Sequence, residues 1–179
     1  MKNNNKNSTA IIVFATLFLL AVLSRWVGHF WNFTLLGGAF LFAGAYFTDK
    51  KIAVLLMLAV MLVSDLVIGF HDQMPIVYFS YLVVVALGFL MNPQSSRLKI
   101  LGYSVLGSFA FYVLTNFAVW YQGALYPMTF SGLIECYVMG IPFYRNQIIS
   151  DVAASFGFFE IAKRIPSLVT QMTDAKTKK

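Results

Sequence analysis

Apolar residues in this chain come in long unbroken runs, and the polar residues are confined to short breaks between them. The runs predict six helical spans, at roughly 9–26, 33–48, 52–70, 76–92, 98–121 and 142–163. A helix crosses the hydrocarbon core of a bilayer in about 20 residues, so the second and fourth spans are short. Stretches such as Ile52 to Val63 lack the alternation of a membrane barrel, which leaves helices as the spanning element.

The breaks Thr48–Lys51, His71–Pro75 and Asn92–Arg97 have the length that joins antiparallel neighbouring helices. Gln122 to Ile141 differs. Gly123, Pro127, Gly132 and Gly140 flank an apolar stretch, Leu133 to Met139, that is too short to span. The preferred reading is an outer cap or re-entrant half-helix over 122–141, with Pro142 in the first turn of the last helix. The alternative is one long Pro-kinked helix from 133.

Composition strengthens the membrane reading. Of 179 residues, 59% are hydrophobic and 11% charged, against about 45–50% and 25% in soluble domains. A soluble fold of this size has too little interior for that much apolar side chain. The expected architecture is an all-α membrane protein, a single six-helix transmembrane bundle over 10–164. Tails at 1–9, Asn-rich and disordered, and at 165–179 flank it. Lys2 and Lys6 ahead of the first run also suit a signal peptide, but the further spans favour a signal anchor.

The charge of +6 suggests nucleic acid at first sight, but there is no basic face. The cations mark topology instead. With the N-terminus inside, Lys2, Lys6, Lys50, Lys51, Arg97, Lys99, Lys163, Arg164, Lys176, Lys178 and Lys179 all fall on the inner side, and only Arg25 and Arg145 do not. The positive-inside rule therefore predicts N-in and C-in. The single Cys136 excludes an internal disulfide.

Polar groups within spans gather toward the predicted outer ends. Asn32 and Thr34 lie on the first outer loop, Asp65 late in the third span, and Asn116 and Trp120 late in the fifth. Tyr126 lies in the 122–141 segment, Arg145 and Asn146 open the last span, and Asp151 lies two to three turns into it, near mid-membrane. These nine are the candidate substrate-binding residues, because intramembrane polar groups mark function or pairing. Arg145 is expected to pair with Asp65 from another span, or to bind a carboxylate or phosphate near the start of the last helix. His29, His71 and Asp72 lack metal-ligand spacing, and Glu135 reads as a loop charge. No metal or cofactor is expected, and no phosphate loop or hydrolase motif is present. Gly37, Gly38, Ala39, Ala43 and Gly44 crowd the second span. Such small residues mark close helix contacts, either internal or, for Gly38, Ala39 and Ala43, a face for docking a partner.

Several stretches together resemble a known family. They are Asn32-Phe33-Thr34-Leu35-Leu36-Gly37-Gly38-Ala39, Ser64-Asp65, Thr115-Asn116-Phe117-Ala118-Val119-Trp120 and Ile141-Pro142-Phe143-Tyr144-Arg145-Asn146 leading to Asp151. In order and spacing they resemble an uncharacterised family of bacterial putative transport proteins, itself similar to the substrate-binding S components of energy-coupling-factor vitamin transporters. The resemblance implies an S-component-like six-helix fold in the bacterial inner membrane, with a site near the outer face. It also implies a coupling subunit and ATPases encoded elsewhere. S components often dock through an alanine-x-x-x-alanine pattern in the first helix, and Ala10, Ala15 and Ala21 lack that spacing. The expected function is uptake of a small vitamin-like solute, with the lipid bilayer as solvent and no enzymatic activity. The alternative is a scaffold or assembly subunit of a cell-envelope complex.

Overall fold

A computed structural model of the chain describes residues 2–28 and 32–164, with side chains described over 12–164 apart from 14 and 28–31. The described residues form six helices and no strands: α1 Lys2–Gly28, α2 Leu36–Tyr46, α3 Lys50–Ile68, α4 Met74–Gly88, α5 Arg97–Tyr121 and α6 Phe130–Arg164. α3 and α5 are long and apolar enough to cross a membrane. Only a minority of each is buried inside the protein, 39% and 28% of the most apolar stretch. Leu55, Leu62, Leu66, Leu98, Leu106 and Phe109 point outward. Water-soluble proteins rarely carry apolar surface on that scale.

Local chemistry sets the helix ends. Asp49 accepts a hydrogen bond from the Lys51 amide (3.0 Å) and opens α3, and Ser96 accepts from the Lys99 amide (3.3 Å) to open α5. Side-chain oxygens at this position satisfy amides that the first turn leaves unpaired. Gly69, at φ +100°, closes α3 in a conformation that other residues rarely adopt.

α2 is the axis of the bundle. All eleven of its residues are buried, between α4 and α6, with α1, α3 and α5 also in contact. Its glycines allow this approach. A Cβ on Gly44 would lie 2.3 Å from the Val85 carbonyl oxygen, and one on Gly38 would lie 2.5 Å from the Ala154 methyl. Gly38, Ala39 and Ala43 are therefore covered by α4 and α6 of the same chain and cannot form a partner-docking face; the crowding reflects internal packing. An aromatic cluster of Phe42, Tyr46, Phe158 and Phe159 completes the contact between α2 and α6.

Two sequence expectations need correction. The Asn-rich stretch after Met1 is the first part of α1 rather than a disordered tail. The 122–141 cap and the last span are not separate, because α6 runs unbroken from Phe130 through Pro142 to Arg164. Thr129 accepts the Gly132 amide (3.1 Å) and starts this helix early. Bonds to α5 then hold its first turns: Tyr112 Oη donates to the Tyr137 carbonyl (2.5 Å), and Tyr137 Oη donates to the Val113 carbonyl (3.0 Å). The C-terminal tail at 165–179 lies outside the described residues.

The two ends of the bundle differ. At one end Lys50 donates to the carbonyls of Gly44, in the last turn of α2, and Phe47, just after it, and lies over the Phe89 ring. Glu160 pairs there with Arg97 and Lys163, each at 3.3 Å. At the opposite end Gln73, ahead of α4, hydrogen-bonds Gln122, after α5.

Candidate functional site

The polar chemistry is at that opposite end. A cleft of about 360 Å³ is lined by Arg25, Asn32, Thr34, His71, Gln73, Tyr81 and Gln147, with Leu36, Ile68, Val77 and Phe111 as apolar wall. A smaller cavity of about 170 Å³ is lined by Asn116, Tyr112, Thr115, Phe143 and Tyr144, and again by Asn32 and Gln147. The two shared residues make them neighbours. Asn32 sits at φ +54°, a left-handed turn that asparagine tolerates better than most residues, and this turn places it where the cavities meet.

Arg25, from the last turn of α1, is the buried cation of the cleft, 8% exposed. Its Nη1 lies 2.5 Å from Asp65 Oδ1 and donates to Ser64 Oγ at 2.6 Å. The Asp65 contact is an ion pair without hydrogen-bond alignment, since Oδ1 closes no hydrogen bond. The other carboxylate oxygen accepts from Tyr78 Oη at 2.6 Å. The pair ties α1, α3 and α4 together. Burial makes it costly to break, because removing one partner leaves a charge without water or counterion.

Asp151, from α6, is buried as well. Ser108 Oγ donates to its Oδ2 at 2.8 Å. The Gly37 amide, at the start of α2, lies against the carboxyl group, which a Cβ at Gly37 would approach to 2.2 Å. No side chain of its own segment caps α2. Asp151 supplies a carboxyl group there from another helix, at the end where a helix dipole favours negative charge. Gln147, one turn before Asp151 and 5% exposed, faces both cavities. Its carboxamide approaches Asp151, yet Nε2 closes no hydrogen bond of normal geometry. An unsatisfied buried amide is rare in folded proteins and calls for an explanation.

The sequence-derived candidates divide. Asn32 and Thr34 line the cleft and Asn116 lines the smaller cavity. Asp65 and Asp151 stand behind the walls as structural partners. Trp120 donates to the Pro127 carbonyl (3.1 Å) and stacks near Phe117, so it holds the loop before α6 rather than a cavity. Tyr126 lines neither cavity. Arg145 is exposed, Asn146 half-buried, and neither lines either of these two cavities. The expected Arg145–Asp65 pair is replaced by Arg25–Asp65, because Arg145 lies well inside α6 on an outward face and not at a helix N-terminus. Arg25 and Gln147 are among the lining residues that the sequence did not single out, with Gln73, Tyr81 and Tyr112. His29 lies outside the described residues.

The described residues define an all-helical fold with two helices long and apolar enough to cross a membrane and a two-part cavity with polar groups at one end of the bundle. The chain belongs to the Family of unknown function (DUF6580), which it matches over residues 5–171. No curated protein and no solved structure matches it.

Proposed function

We propose that this chain is a multi-pass membrane protein of six spans that binds a small solute in the Arg25–Gln147 cleft for uptake into the cell. The observation that carries the reading is the two-part cavity with buried polar groups in its wall. Mostly apolar walls with a few convergent polar groups are the usual form of a small-molecule site. The outward apolar faces of α3 and α5 are lipid-facing in this reading, and the short α2 is permissible because protein surrounds it on every side. Lys50, Lys51, Arg97, Lys99, Lys163 and Arg164 crowd the end remote from the cleft. The positive-inside rule makes that end cytoplasmic, and the cleft then opens outward. The resemblance to a family that is itself similar to S components of vitamin transporters favours the same assignment and implies a coupling partner with ATPases as the energy source.

The test is thermal unfolding of the full chain in detergent across a broad panel of vitamin-sized solutes. A saturable rise in Tm with one chemical class is expected, since a ligand that binds only the folded state stabilises it by mass action. Gln147→Leu should remove most of that rise. No shift from any solute, with no small molecule copurifying, would contradict solute binding and leave the scaffold reading.

A further inference from the structure

Three polar side chains at the cavities have hydrogen-bonding capacity beyond their structural contacts. Arg25 is nine-tenths buried and lines the cleft, yet only its Nη1 makes ion-pair or hydrogen-bond contacts among the described residues. Gln147, buried to a similar degree, leaves its Nε2 unpartnered at the junction of the two cavities. Asn116 anchors its Nδ2 on the Tyr112 carbonyl (2.8 Å), and Gly140 leaves just the room that its Oδ1 needs.

Shape and charge narrow what fits. The smaller cavity, about 170 Å³, is bordered by Tyr112, Tyr144 and Phe143. A cavity of about 150 Å³ is enough to hold benzene, so this one accommodates a single six-membered ring, with the Asn116 carboxamide at its edge. The larger cleft offers guanidinium donors. Their charge is already matched by Asp65, and a second carboxyl group, Asp151, lies behind Gln147. An anionic ligand would enter a site without surplus positive charge among its described residues. An uncharged acceptor meets the same donors without that penalty, since charged groups are costly to desolvate unless they are paired.

We propose that the two cavities form one site for an uncharged ligand of two parts. A planar six-membered ring sits in the Asn116 cavity, and a carbonyl or comparable neutral acceptor faces Arg25 in the cleft, with Gln147 at the joint. This rests on the solute-binding reading and names its ligand class.

The experiment titrates the full chain in lipid nanodiscs with two matched series, ω-phenylalkanamides and ω-phenylalkanoates of increasing chain length. Ring-free alkanamides serve as a third series. One amide length should bind saturably, with its carboxylate and its ring-free analogue at least about tenfold weaker, a difference of about 1.4 kcal/mol. The double variant Arg25→Gln with Asp65→Asn keeps the site neutral and hydrogen-bonding, and should weaken the amide by a similar factor while unfolding cooperatively. Gly140→Ala, which drives the Asn116 carboxamide toward the ring cavity, should erase the advantage of ring over chain. Tighter binding of the carboxylates would overturn the uncharged-ligand inference while leaving solute binding intact. No binding by any of the three series would overturn the two-part site. Solute binding itself falls only if the broad thermal panel is silent too.

Discussion

At the residue scale, two buried carboxyl groups organise the molecule in different ways. Asp65 is held by a cation from α1, whereas Asp151 is held by Ser108 and the start of α2. For Asp65 the expected energetics are those of a buried pair. Arg25→Met should destabilise the protein by about 3–5 kcal/mol, and Arg25→Met with Asp65→Leu should recover most of that loss. A double-mutant cycle on unfolding in detergent measures it; additive losses would contradict a coupled pair. For Asp151 the sensitive neighbour is Gly37, whose substitution by alanine puts a methyl group 2.2 Å from the carboxylate. A cost of about 1–3 kcal/mol is expected for such overpacking, read as a lower unfolding midpoint for Gly37→Ala. Hydropathy flagged both aspartates as intramembrane polar groups. It could not identify their partners, because pairing depends on which helix faces touch. Arg25 and Arg145 looked alike along the chain, each at an outer boundary. Only packing turned Arg25 inward and left Arg145 on the surface.

At the scale of elements, the helices were largely legible and their joints were not. Four of the six apolar runs match α2 to α5 to within a few residues at each end, and the first lies inside the longer α1, since long apolar periodic segments report directly on helices. The error at 122–141 arose from treating Pro142 and the glycines as breakers. In α6 the buried Gly132, Cys136 and Gly140 recur every fourth residue along one side, where Gly132 meets Pro127 of the preceding loop and Cys136 and Gly140 meet Asn116 of α5. That stripe was present in the sequence and marks a helix running through the proline. Proline removes one backbone donor and bends a helix, but neighbouring contacts can hold the helix on both sides. α2 and α4 cross at close range. Gly44 and Gly88 abut there, with a Cβ on Gly88 2.4 Å from the Leu41 carbonyl oxygen. Gly88→Val should therefore separate the helices and lower Tm by many degrees. Gly157→Ala, where nothing lies within 4 Å of the added carbon, should leave Tm unchanged or raise it, as alanine outranks glycine in a helix. Equal effects at the two positions would contradict the close crossing.

At the scale of the whole molecule, the asymmetry of the bundle is the central feature. One end carries lysines, arginines and Glu160, and the other carries the cavities and the one buried ion pair among the described residues. The sequence displayed this polarity in the spacing of its cations, but not the cavity, which forms only where all six helices converge. In the proposed account the basic end faces the cytoplasm and the cleft faces outward. Two exposed positions report on the two ends, His71 at the cleft and Gln94 between α4 and α5. The native Cys136 is buried and provides the unlabelled background. Intact cells carrying His71→Cys or Gln94→Cys would be treated with a membrane-impermeant maleimide. The account predicts labelling at 71 in intact cells and at 94 only after permeabilisation; labelling at 94 with 71 protected would place the cleft on the cytoplasmic side and contradict uptake through an outward-facing site.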